Sequence, residues 1–155
     1  MKNKIAKCFA TAALVALPFA GAHAGAGNNH AALFMGATIT DDYTDPTVGV
    51  EYEYRTPFMD RKIGIGVVVE QLLDHDATIA VAGVVIHPWK DLKVNLSAGI
   101  ERLDVAGTTK NKELIRVGVG YDFHYNNISY GPVYNLDTVD GNNAHAVGLA
   151  VGFGF

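Results

Sequence analysis

Val147-Gly148-Leu149-Ala150-Val151-Gly152-Phe153-Gly154-Phe155 is the stretch whose reading decides the fold. Valine, leucine and phenylalanine at every second place alternate with glycine and alanine, which is the period of a β-strand whose two faces meet different surroundings. One face is wholly apolar and ends on an aromatic ring. The other carries nothing larger than a methyl group, as a strand facing a crowded interior must.

Seven further segments show or permit the same period: 32–40, 47–56, 62–73, 77–87, 93–103, 113–125 and 128–136, with 144–155 as the eighth. Each reaches the roughly 9 to 11 residues that a tilted strand needs to cross a bilayer. Val48, Val50, Tyr52 and Tyr54 alternate with Gly49, Glu51, Glu53 and Arg55; Ile115, Val117, Val119, Tyr121 and Phe123 alternate with Arg116, Gly118, Gly120, Asp122 and His124. Glycines 64, 66, 118, 120, 148, 152 and 154 all fall on the charged or small face. The segment 77–87 is apolar on both faces, and pattern alone does not assign its inside. A soluble β-sandwich also alternates, with its apolar face inward, so the period by itself leaves two architectures open.

The start of the chain bears on that choice. Lys2, Lys4 and Lys7 precede an apolar run from Phe9 to Ala20 and the small-residue site Ala22-His23-Ala24, which reads as a secretory signal peptide over 1–24, with one domain over 25–155. The run is too short for a transmembrane helix of roughly 20 residues. Cleavage before Gly25 would remove Cys8, the one cysteine, and with it disulfides, thiol catalysis and cysteine metal sites. It would also remove three of the 12 basic and none of the 16 acidic residues, taking the formal charge from −4 to −7. Nucleic acid is a poor partner for such a chain, since its binding rests on phosphate neutralisation by lysine and arginine.

With eight alternating segments, an export signal and an aromatic ending, the chain resembles the small eight-stranded bacterial outer-membrane barrels of the OmpA and OmpX type. The resemblance implies an eight-stranded antiparallel up-and-down transmembrane β-barrel, monomeric, set among outer-membrane lipids and lipopolysaccharide, with Phe155 as the signal met by the barrel-assembly machinery. It also implies periplasmic termini. The connections Pro57 to Arg61, Pro88 to Leu92 and Asn126-Asn127 are then periplasmic, and the longer ones, Asp41 to Pro46, Asp74 to Asp76, Asp104 to Lys112 and Asp137 to Asn143, are outside. Tyr54, Phe58, Trp89, Tyr125, Tyr130, Phe153 and Phe155 fall near the periplasmic boundary as an aromatic girdle.

Eight strands enclose an interior just wide enough for side chains to fill. Glu51, Glu70, Glu101, Arg116 and Asn135 should converge in its outer half and Arg55, Lys93, Asp122 and His124 in its inner half, as an ion-paired plug or, alternatively, an ion path. Catalysis has one foothold: Phe123-His124-Tyr125-Asn126-Asn127 is similar to the His-x-Ser-Asn motif of lipid A deacylases, but Asn126 stands at the serine position. Ser129 could pair with His124 and Asp122 instead, although a polar interior trio accounts for the same residues. Asp41, Asp42, Asp45, Asp74, Asp76, Asp104, Asp137 and Asp140, with His75 and His145, form an acidic outer rim that could attract a cation or be solvated turn residues. No cofactor is implied. The function expected is a structural or surface-interaction role without an open pore; the alternative is an enzyme modifying lipid A or another envelope lipid.

Overall fold

The computed structural model describes residues 27–56, 60, 62–105 and 108–155, so the expected signal peptide and Phe58 lie outside the described residues. The strands are β1 (Asn29–Ile39), β2 (Thr44–Arg55), β3 (Ile63–Leu72), β4 (Ala77–Trp89), β5 (Leu92–Val105), β6 (Thr108–Tyr121), β7 (Phe123–Tyr125), β8 (Ile128–Val139) and β9 (Asn142–Gly154). Apart from β6 and β7, each pairs antiparallel with its sequence neighbour; β1 pairs with β9, and β6 and β7 both pair with β8. β6 and β7 are two pieces of one wall strand interrupted at Asp122. The sheet therefore closes on itself as an eight-stranded barrel.

What the wall shows to each side excludes the sandwich. Leu33, Met35, Ile65, Leu96, Ile115 and Leu149 point outward and are each more than half exposed, while Glu53, Glu70, Lys93, Arg116 and Asp137 are buried inside. A protein in water would reverse this arrangement; lipid requires it. On β4 the inward residues are Ala77, Ile79, Val81, Val85 and His87, which supplies the face that the sequence pattern left open.

The start of β1 and Phe155 lie together at one end of the barrel, here called the terminal end, and the other is the distal end. Tyr54, Trp89, Tyr121, Phe123, Tyr125, Tyr130 and Phe153 are exposed on the outer wall toward the terminal end, and Phe123 packs beside Tyr121 and Tyr130 with ring centroids 5.1 and 5.7 Å away. Toward the distal end the outer wall turns polar along one rung, where Gln71, Thr78, Arg102 and Asn111 are successive cross-strand neighbours. These two belts bracket the apolar band.

The connections correct the expected loop asymmetry. Asp104 to Lys112 is not a loop: β5 and β6 remain paired up to Val105 opposite Thr108. Asp137 to Asn143 is likewise a hairpin, with Val139 opposite Asn142 and a two-residue turn in which Asp140 and Gly141 both have positive φ, 48° and 83°. That is the geometry a right-twisted hairpin favours, and Asp-Gly adopts it readily. The backbone keeps pairing after the strands leave the apolar band, while the side chains become polar. The distal connections are thus two to four residues long, and orientation rests on the aromatic belt and the termini instead of on loop length.

Inside, small residues admit large ones. Phe34 lies across Gly36 and Gly148, and a Cβ at Gly148 would come within 2.7 Å of both the Phe34 ring and the Gly36 Cα. Gly148→Val should therefore destabilise the barrel by about 1 to 3 kcal/mol through overpacking, read as a lowered urea midpoint in lipid vesicles. An unchanged midpoint would mean that the β1 backbone at Met35 and Gly36 shifts freely along with the Phe34 ring.

Candidate functional site

The lumen holds the polar chemistry in tiers. In the middle tier Arg116, 1% exposed, makes two parallel pairs of bonds. Its Nη1 and Nη2 donate to Glu70 Oε1 and Oε2 at 2.8 and 2.6 Å, and its Nε and Nη2 donate to Asp137 Oδ1 and Oδ2 at 2.6 and 2.7 Å. The planar guanidinium fork suits this double bidentate arrangement, which lysine could not reproduce. Asn95 donates to Asn135 beside it at 3.4 Å. The space left among Glu51, Phe34, Val68, Arg116 and Asn135 is ≈ 20 Å³, about room for one water molecule.

Distal to this tier lies a dry one. Leu72, Leu114 and Val139 each follow or precede an ion-pair residue by two places on the same inner face, of Glu70, Arg116 and Asp137 respectively, and so form the next layer out. With Ala77, Ile79 and Val81 they make one buried cluster, against which Tyr43, Val68 and Leu103 pack.

Toward the terminal end, Lys93 donates to both oxygens of Glu51 at 2.8 and 2.9 Å. Glu53 is shared between His87 Nε2 at 2.7 Å and Arg55 Nε at 3.1 Å. His30 Nε2 lies 2.8 Å from Ser129 Oγ. His30, Glu51 and Glu53 bring possible metal-ligating atoms within 4.8 Å of one another, but their carboxylate oxygens already accept from Lys93, His87 and Arg55. This arrangement is an internal ion-pair cluster whose cations occupy the place a metal would need.

The expected residues thus divide. Glu70 and Arg116 meet; Glu51 pairs with Lys93, and Arg55 with Glu53. Glu101 faces inward at the distal mouth, apart from Arg116. Asp122 is buried at the break between β6 and β7. His124 is a correction: it is exposed at the terminal rim, its Nε2 3.6 Å from Asp91 Oδ1. Ser129 faces His124 across the strand pair, yet its hydroxyl partners His30 and is buried inside the barrel, so the serine-histidine-aspartate arrangement is not formed. Asp137 and Asp45 leave the acidic rim as well, since both are fully buried. Asp45 accepts from the Asp74 and His75 backbone N–H groups, each at 2.9 Å, and lies 2.8 Å from His75 Nδ1. His75 in turn stacks on Tyr43 at 4.0 Å. One carboxylate therefore ties the 73–76 turn to the loop over the mouth. His30 and His87 escape the sequence reading, His30 because it precedes the first alternating segment and His87 because its segment is apolar on both faces, while Asp137 moves from the expected rim into the lumen.

The closed eight-stranded wall has known counterparts. The fold is that of the small eight-stranded outer-membrane barrels. The N-terminal β-barrel domain of Pseudomonas aeruginosa OprF is similar at 14% identity and a TM-score of 0.63, covering 83% of this chain and 98% of that one. Neisserial surface protein A is similar at 12% identity and 0.53, over 82% and 96%. Ail, the attachment invasion locus protein of Yersinia pestis, is similar at 14% and 0.51, over 83% and 99%. No protein-family model and no curated relative matches the sequence. At such identities the likeness carries the architecture and leaves the activity to the site.

Proposed function

We propose that this protein is an integral bacterial outer-membrane barrel with a structural or surface-contact role and no open pore, acting as a monomer among outer-membrane lipids and lipopolysaccharide after insertion by the barrel-assembly machinery. The observation that carries the reading is the sequence of closed tiers along the lumen. An ion meeting the Leu72, Ile79 and Leu114 layer would lose its hydration with no polar group to replace it, and beyond that layer the Arg116 tier offers it no unpaired charge. Distal hairpins of two to four residues are too small to serve as a large adhesive surface, which favours contact with lipid headgroups or small ligands.

Two measurements test this. Purified protein in planar bilayers should give no discrete conductance, and stable conducting steps would overturn the closed-lumen reading. Single cysteines at Thr108 and Asp60, at opposite ends of the barrel, should respond differently to a membrane-impermeant maleimide added to intact cells: the first labelled, the second spared. Labelling of Asp60→Cys alone would invert the barrel, and recovery of the protein in the soluble periplasmic fraction would remove it from the membrane.

A further inference from the structure

The distal mouth contains a cavity that the closed lumen does not use. It measures ≈ 220 Å³ and is lined by Asp41, Asp42, Tyr43, Glu101, Lys112 and Asn142, among others. Its base is the apolar tier, through Val139 and Tyr43. Arg102, next to Glu101, belongs to the outward polar rung, so the cavity sits at or beyond the edge of the apolar band and opens to the medium at that end.

Glu101 is the anomaly. It is only 6% exposed, yet among the described residues none holds its carboxylate by a hydrogen bond or an ion pair. Lys112 is its direct cross-strand neighbour and lines the same cavity, but does not close a pair with it. Its carboxylate opens onto the cavity with no protein partner among the described residues, whereas Glu51 is paired with Lys93, Glu53 with Arg55, and Glu70 and Asp137 with Arg116. Burial, and then the negative charges of Glu101, Asp45 and Asp42, hold the Tyr43 phenol above its usual range.

The cavity's size and spacing select the kind of cation. Among the described residues the group that brings three ligating atoms within 4.8 Å is at the other end of the lumen. Asp41, Asp42 and Glu101 as they stand therefore do not converge on a single bare ion, and 220 Å³ accommodates a molecule of several non-hydrogen atoms. A molecule with ammonium groups at both ends of a short alkyl chain would satisfy Glu101 at depth and the Asp41-Asp42 edge at the opening, its methylenes lying against Val139.

We propose that the distal mouth is a binding site for a small alkyl diamine, held by Glu101 within and by Asp41 and Asp42 at the rim. Lys112 puts a positive charge into the same cavity that repels such a ligand, so its removal should strengthen binding while loss of Glu101 weakens it. A nonspecific acidic surface would change only slightly with either substitution at screening salt, and its binding would not saturate at one site.

The test is calorimetric titration of the folded mature protein, in a neutral detergent and about 0.15 M salt to screen loose counterion attraction, with 1,4-diaminobutane as the probe. The expected result is saturable one-site binding that weakens about tenfold or more in Glu101→Gln and tightens in Lys112→Met, with butylamine a poorer ligand than the diamine. Absence of saturable binding to the wild type would overturn the proposal. So would equal binding by Glu101→Gln, or displacement of the diamine by calcium at matching concentration, which would make this a metal site. Heat-modifiable migration on gels verifies that each variant is folded, and Lys112→Met supplies a gain that misfolding could not mimic.

Discussion

Replacing Arg116 with methionine should cost on the order of 3 to 5 kcal/mol of folding stability, the largest effect expected of any single polar substitution in the lumen. The guanidinium holds Glu70 and Asp137 together by four bonds of 2.6 to 2.8 Å, and all three side chains are at most 1% exposed. Without it two carboxylates face one another in a place water scarcely enters. The loss is the penalty of stranding them, more than the net worth of the ion pairs, and this distinction is measurable. The triple variant Arg116→Met, Glu70→Gln, Asp137→Asn removes the charges together and should recover most of the stability, because neighbours sharing one network are strongly non-additive. Urea unfolding in lipid vesicles reads both. A single variant as stable as the parent would show that the lumen admits enough water to solvate the carboxylates, and the closed-lumen reading would fall with it.

Why Arg116 was legible and its second partner was not follows from the physics of the strand. Parity along β6 puts Arg116 on the glycine face, and the same parity on β3 puts Glu70 there, so an inward pair could be expected from sequence. Asp137 reads as a loop residue because Asp137-Thr138-Val139-Asp140-Gly141 looks like turn chemistry throughout. Only the last two residues make the turn; the first three continue β8, with Asp137 opposite Arg116 itself. The polar run marks where the outer face leaves lipid, and a strand ending in lipid is not a strand ending in hydrogen bonds. The same error made a loop of Asp104 to Lys112. Side-chain partners across the lumen were harder still: Glu51 with Lys93 and His30 with Ser129 join strands far apart in the sequence, and their choice depends on strand tilt and stagger, which alternation does not encode.

Truncating Leu72 or Leu114 to alanine should each cost about 2 to 5 kcal/mol, comparable with Arg116 but for the opposite reason, since here no charge is stranded and an apolar void is opened. Both side chains are essentially inaccessible, at 0% and 1%, and belong to the tier that closes the lumen immediately distal to the ion pairs. β4, whose two apolar faces gave no inside from sequence, is apolar inward because Ala77, Ile79 and Val81 complete this tier. Its ambiguity is thus the trace of a dry layer distal to the ion pairs. If that layer is the seal, the double variant Leu72→Ala, Leu114→Ala reconstituted in vesicles should leak small ions faster than the parent, whereas the charge-free triple variant at Arg116, which keeps the apolar tier, should not. Leak from the triple variant alone would move the barrier to the ion pairs and make the apolar tier packing only. Equal tightness in both would mean that each tier closes the barrel by itself.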